Sequence, residues 1–320
     1  MPTPPRSTVE HVVRAACLAP SVHNTQPWLF AWRTGALEVR ADRTRQLAVL
    51  DPYGRQLLLS CGAAVHHAGV AARGLGLSVD QELFPDPDEP DLLARLRLRP
   101  GRAPSPREQA LAVALLDRHT HRGAFDDGPL EESVVAALTE AVEGQGAALR
   151  TLRDEDDLIA LQVLLARADA EEARDPAYWD ELRRWAGPGI PETALGSSVV
   201  SSLTPRVFPG TPVPDLTDPP EAEHPDVLVV VTDNDGPVDW LVAGQALSAL
   251  LLCGASYGVM AQPLGQATDR DAYRLRLRSA LGLVGCPQMV LRMGQVAVAG
   301  AATPRRAVDD VLRFPVGVDR

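Results

Sequence analysis

Ala19-Pro20-Ser21-Val22-His23-Asn24-Thr25-Gln26-Pro27-Trp28 is the stretch from which the rest of the chain is read. It joins an amphipathic helical pattern over 7–18 to a strand-like run, Leu29–Arg33. Pro20 and Pro27 fix the backbone at both ends, and Pro27 is expected to hold Gln26 extended. Ser21, Asn24 and Gln26 place short hydrogen-bonding groups and backbone N–H groups between the two prolines. A rigid polar loop of this kind suits a planar, heteroatom-rich ring better than a metal ion or a nucleic-acid backbone.

Working outward, the chain repeats itself. Ser60-Cys61-Gly62-Ala63-Ala64-Val65 through Gly76-Leu77 matches Val242-Ala243-Gly244-Gln245-Ala246-Leu247 through Gly258-Val259 at a constant offset, with Gly62 on Gly244 and Gly76 on Gly258. Each copy reads as a long, mostly apolar helix ending at a glycine, followed by a short strand. Each also follows a helix-starting cluster, Asp51-Pro52-Tyr53-Gly54 or Asp235-Gly236-Pro237. Further strands are expected at 36–41, 92–98, 149–152, 227–232 and 289–293. Helices are expected at 53–74, 106–118, 130–143, 155–173, 238–257 and 268–280. Segment 186–225, rich in Gly, Pro, Ser and Thr, is too long for a plain connection and reads as an ordered lid. Tyr178, Trp179 and Trp185 fall at helical spacing and read as packing residues.

Composition narrows the chemistry. The 320 residues are 45% hydrophobic, enough for a substantial core. A net charge of -11 argues against a nucleic-acid binder or a partner of anionic membranes. Every basic residue apart from histidine is Arg, so a phosphate must be held by guanidinium forks, backbone N–H groups or helix N-termini, and lysine Schiff-base chemistry is excluded. Cys17, Cys61, Cys253 and Cys286 are far apart in apolar settings and read as reduced core thiols of a cytoplasmic protein. The first residues lack a signal-peptide pattern. The apolar stretch 241–264 contains Gln245, Ser248 and Ser256 and reads as a buried helix, not a membrane span.

Adjacent His66 and His67 point about 100° apart on a helix and cannot share one metal, and no other His/Cys spacing suits a metal. No G-x-S-x-G elbow, Walker loop or G-x-G-x-x-G is present. Asp154-Glu155-Asp156-Asp157 reads as a helix cap.

Two further motifs complete the picture: Arg118-His119-Thr120-His121-Arg122-Gly123-Ala124-Phe125, and Pro304-Arg305-Arg306 near the C-terminus. With the 19–28 loop they resemble the nitroreductase family, and within it the Acg-type NAD(P)H nitroreductases of actinobacteria, which have two nitroreductase-like halves. The resemblance covers nearly the whole chain, including Asp51-x-x-Gly54-Arg55 and Pro287-Gln288, and is weakest over 145–225. It implies an α+β, nitroreductase-like fold of two fused halves, an intrachain pseudo-dimer with long central helices and a lid. The halves are expected at 1–103 and 104–320, the second carrying the lid insertion. The implied cofactor is FMN, with NAD(P)H and a small-molecule acceptor as partners.

Carried over by position, Pro20, Ser21, Asn24 and Gln26 lie along the isoalloxazine. Arg118 and Thr120 bind the phosphate, Arg122 reaches the pyrimidine edge, His119 between them also contacts the cofactor, and Arg305 and Arg306 close the phosphate site. Gln262-Pro263-Leu264-Gly265-Gln266 resembles the loop whose backbone N–H approaches flavin N5, with Leu264 or Gly265 as donor and Pro263 beside them. His121 is expected to face solvent. The ring loop occurs only in the first half and the basic arm only in the second, so one site and a monomer are expected. No catalytic acid or base is assigned. The expected function is hydride transfer from NAD(P)H through FMN to a nitroaromatic or other small acceptor. Alternatives are an FMN-sequestering protein with little turnover and an FMN-dependent dehydrogenase acting on a biosynthetic intermediate.

Overall fold

In a computed structural model, which describes residues 3–126, 128–189, 225–296 and 303–315, two antiparallel sheets flank a pair of long buried helices. The first sheet is built from β1 (Trp28–Arg33), β2 (Ala36–Ala41), β3 (Leu77–Leu83) and β4 (Leu92–Pro100) in the order β3-β4-β2-β1. A two-residue strand from the far end of the chain, β9 (Leu312–Arg313), joins β1 in parallel. The second sheet has the order β5-β6-β8-β7, with β5 at Ala148–Leu152, β6 at Asp226–Thr232, β7 at Val259–Pro263 and β8 at Cys286–Gln295.

The sequence pattern explains how each sheet is covered. On β4, Leu92, Leu96 and Leu98 are buried while Arg95 and Arg97 face outward toward Glu38, Asp80 and Glu82 on neighbouring strands. One face therefore meets the core, formed with α1 (Arg6–Ala16) and α2 (Arg55–Gly74). β6 is buried along its whole length. Its Leu228 and Val230 face α4 (Glu132–Glu143) and α7 (Pro237–Ser256), and its Val227, Val229 and Val231 face α5 (Glu155–Glu172) and α9 (Asp271–Ala280). Helices on both faces require an apolar run in place of alternation.

The duplicated helices are α2 and α7, and they pack against each other through their matched glycines. A Cβ on Gly62 would fall 2.1 Å from the Leu241 carbonyl oxygen, and one on Gly244 would fall 2.1 Å from that of Leu59. These two contacts exchange when the helices are exchanged. His66 and Ser248, equivalent positions in the two helices, touch at 2.7 Å. Among the described helices α7 alone is long and apolar enough to cross a membrane, and most of it is buried inside this fold.

The remaining helices are α3 (Pro106–Asp117), α6 (Pro176–Gly189), α8 (Gln266–Asp269) and α10 (Val308–Val311). The single helix expected over 268–280 is broken: Arg270 is extended (φ -101°, ψ 132°) and separates α8 from α9. Asp269 is drawn toward Gln56 and Arg55 while Arg270 reaches Glu171 at 3.0 Å, which pulls the two sides apart. α6 was not foreseen as an element. It docks by burying Tyr178 and Leu182 against Leu47 and Leu50, and the Glu181 carboxylate accepts the N–H groups of Val49 and Leu50. All but the ends of the lid expected at 186–225 lies outside the described residues.

Candidate functional site

The 20–26 loop stores backbone strain. Three of the five described non-glycine residues with positive φ are here: His23 (46°), Asn24 (54°) and Gln26 (50°). Each such residue costs on the order of 1 kcal/mol, so the surroundings must impose it. Ser60 Oγ accepts the Val22 N–H at 3.2 Å, Ser21 Oγ accepts the Gln26 N–H at 3.0 Å, and Arg45 Nε donates to the Thr25 carbonyl at 2.5 Å. The expectation that Pro27 holds Gln26 extended is therefore corrected: these tertiary hydrogen bonds override the pre-proline preference.

Beside this loop runs a slot. Pro20, Ser21 and Val22 form one wall, the α2 side chains Gln56, Leu59 and Ser60 the floor, and Pro263, Gly265 and Gln266 the opposite side. Leu247 and Met289 add apolar surface. The Leu264 N–H is already given to the Val290 carbonyl at 2.8 Å, and its side chain is fully buried. Of the two residues expected to offer a backbone donor, only Gly265 lines the slot. Gln266 Oε1 is buried with no hydrogen-bond partner among the described residues.

One end of the slot opens into a basic pocket shared by Pro20, Ser21, Thr120 and Arg122, and lined further by Asn24, Arg118, His119 and Arg305. The arm that carries the first cations is seated on the second sheet. Thr120 bridges Ala261, His121 donates its N–H to the Ala261 carbonyl at 3.0 Å, and Phe125 presses on Gly294, where a Cβ would clash. Fully buried Arg292 fastens the arm to the slot: it donates to Gln262 Oε1 at 2.5 Å and to the Gly123 carbonyl at 3.2 Å, and its guanidinium lies 5.0 Å from the Phe125 ring centre.

Arg118 is buried, and both it and Arg305 donate to the Leu18 carbonyl, at 2.7 and 3.3 Å. Neither meets a carboxylate among the described residues, and the Nε of each is buried without a hydrogen-bond partner. Burial, reinforced by the charge of Arg305, lowers the Arg118 pKa to about 9. Burial likewise lowers Arg122 and Arg305 to about 10. Three desolvated guanidiniums converging without a carboxylate on Arg118 or Arg305 make a cradle for an anion. Slot and cradle together fit a flat heteroatom-rich ring bearing a phosphate.

Other expected residues do different work. Gln26 is turned away from the slot: its Oε1 accepts the Arg306 N–H at 2.7 Å and its Nε2 donates to the Pro304 carbonyl at 3.4 Å. Arg306 spends its guanidinium on the carbonyls of Gln26 and Trp28 and on Asp42, at 3.0, 3.2 and 3.3 Å. Asn24 Oδ1 accepts from Arg305 at 3.2 Å and so aims that cation into the basic pocket. His119 lines the basic pocket with Nδ1 on the Asp117 carbonyl at 2.8 Å, and His121 is turned back onto the Ala124 carbonyl.

Gln56, Ser60, Gln266 and Arg292 were missed by sequence reasoning. Gln56 carried a signal, one position beyond the Asp51-x-x-Gly54-Arg55 motif, and Gln266 closes the Gln262–Gln266 stretch. No group of three potential metal-binding side chains exists among the described residues.

Comparison with known proteins follows from this geometry. No family model matches the chain. It is similar to two Mycobacterium tuberculosis (strain ATCC 25618 / H37Rv) proteins named "Putative NAD(P)H nitroreductase". With Rv3131 it shares 33% identity over 98% of this chain and 93% of the relative. With acg it shares 30% over 95% of this chain and 94% of the relative. A solved nitroreductase with bound FMN from Desulfitobacterium hafniense DCB-2 is 13% identical, with a TM-score of 0.41, covering 64% of this chain and 97% of that one.

Proposed function

Because the chain belongs to the NAD(P)H nitroreductase family, we propose that it is an FMN-dependent oxidoreductase taking a hydride from NAD(P)H and passing it to a small acceptor such as a nitroaromatic. The observation that carries this reading is the pair of guanidiniums, Arg118 and Arg305, each with a buried, unsatisfied Nε in the basic pocket that adjoins the slot. A bound phosphate supplies the missing acceptor for both.

The chemistry FMN supplies when bound is hydride exchange, first with the nicotinamide and then with the acceptor. The protein's part is positioning and electrostatics. Arg118 and Arg305, with the Thr120 hydroxyl, hold the phosphate. Arg122 lines both the slot and the basic pocket and brings positive charge to the pyrimidine edge, which favours the anionic reduced ring. Gly265, which lines the slot, would offer its N–H to the ring nitrogen that exchanges hydride. Leu59, Leu247 and Met289 keep water from the ring.

The same reading makes residues 1–103 and 104–320 two fused halves sharing one composite site: the first contributes Pro20–Val22 and Gln56–Ser60, the second Thr120, Arg122, Gly265 and Arg305. α2 and α7 then form inside one chain the contact that two chains would otherwise form, and the protein acts as a monomer.

The first test is the visible spectrum of the purified chain, with cofactor released and quantified, and its mass by light scattering. One FMN per chain in a monomer is expected, with reduction by NADH or NADPH in stopped flow. No FMN uptake on reconstitution overturns the cofactor reading. FMN that is bound but reduced no faster than in buffer overturns the oxidoreductase reading.

A further inference from the structure

A second cavity lies between α2, α3, α4 and α7 and shares no lining residue with the slot or its basic pocket. Val70, Leu111, Ala141 and Ala249 supply apolar walls. The charged groups facing it are Arg73, Arg107, Glu108 and Glu140. Arg107 and Glu140 pair at 2.6 Å on the exposed rim, and Glu108 is taken up by Arg102 at 2.8 and 3.0 Å and by Ser105. Arg73 makes no hydrogen bond or ion pair with any described residue. Counting Arg102, one positive charge is in excess; burial lowers the Arg73 pKa, and the through-space pull of the Glu108 carboxylate opposes that shift.

A second donor follows from the hydrogen-bond network beside it. His67 Nδ1 lies 3.0 Å from the Ala63 carbonyl, which only accepts, so the His67 proton sits on Nδ1. Ser248 Oγ, 2.8 Å from the same Nδ1, accepts there and gives its own proton to His66 Nδ1 at 2.7 Å. With the hydroxyl proton given to that nitrogen, the His66 proton is on Nε2, and His66 lines the cavity.

We propose that this cavity binds a small organic carboxylate, its anionic head on Arg73 and the His66 Nε2–H, its apolar body on Val70, Leu111, Ala141 and Ala249. A carboxylate matches the planar guanidinium fork and the single surplus charge. A phosphate dianion would be left half neutralised beside the Glu108 and Glu140 carboxylates.

The test is 19F NMR of 4-fluorobenzoate titrated into the full-length chain with FMN added, independent of whether FMN turns over. Saturable binding is expected. Arg73→Gln weakens it by about tenfold or more, the loss of one charge-assisted contact, and the neutral probe 4-fluorobenzyl alcohol is weakened comparably. Ala249→Phe, which fills the cavity, abolishes binding. Arg122→Gln in the slot leaves it unchanged. Arg73 holds no described partner, so Arg73→Gln is expected to stay folded, checked by thermal melting. Absence of saturable binding overturns the proposal. So does undiminished binding by Arg73→Gln, equal binding of the alcohol, or a loss that follows Arg122→Gln in place of Arg73→Gln.

Discussion

Arg118 holds a positive charge where the described residues supply no negative one, and that asymmetry predicts opposite signs for two measurements. In the free protein the buried guanidinium is desolvated against a single carbonyl and repelled by Arg305. Arg118→Gln therefore leaves the melting temperature of the FMN-free chain unchanged or higher. The same variant weakens FMN binding by roughly 10- to 150-fold, the usual worth of a hydrogen bond to a charged group. Lower stability with unchanged affinity would make Arg118 a structural cation. The motif around Arg118 was legible in the sequence as an Arg-x-Thr-x-Arg spacing. The division of labour between Arg305 and Arg306 was not. Two adjacent arginines look alike in a sequence, and only the position of Asp42 and the Gln26 carbonyl assigns one of them to a clamp.

At the level of elements, the tightest surroundings of any described glycine are at the crossing of α2 and α7. Gly62→Ala or Gly244→Ala places a methyl 2.1 Å from a backbone carbonyl of the facing helix, so the helices must separate. We expect a loss of about 1–3 kcal/mol in urea unfolding for either variant. Gly69→Ala is the control: its methyl meets only the end of the Arg73 side chain, nearest atom 3.2 Å away, and the gain in helix propensity makes it neutral or stabilising by up to about 1 kcal/mol. Equal losses at Gly62 and Gly69 would show that helix propensity, not the crossing, decides. The duplicated helices were readable because a buried helix writes its packing into every position. Their close packing was expected from the small residues along them, but which glycines make the crossing was not, since a glycine serves equally for close approach, a cap or a turn. The His66 and His67 rings both meet one hydroxyl of the facing helix, which intrahelical spacing alone cannot foresee.

For the molecule as a whole, pH response reports how charge is buried. Burial, with Arg73 nearby, lowers the His66 pKa to about 3, and burial with Arg118 lowers His67 well below its ordinary value. Both bind protons more readily unfolded, so the stability they contribute is present above about pH 6.5 and lost on acidification, at about 1.4 kcal/mol per pH unit per group. Asp51 is opposite. Burial raises it to about 6 against the N–H groups of Gln56 and Leu57, so its contribution is present below about pH 4 and lost as pH rises through 6. Urea unfolding between pH 4 and 6 is thus expected to show net acid lability, flattened by His66→Gln and steepened by Asp51→Asn. A slope unchanged in His66→Gln would mean that histidine is not held neutral. The sequence by itself determined the duplicated central helices and the motifs at the site, because these are local patterns of periodicity and spacing, and the resemblance those motifs carry implied the α+β class. Only the tertiary structure decided that Gln26 and Arg306 clamp each other, that the Leu264 N–H is consumed, that Arg292 ties the arm to the slot and that β9 returns to β1. Those outcomes depend on hydrogen-bond partners brought together from distant parts of the chain, and no local pattern encodes which donor reaches which acceptor.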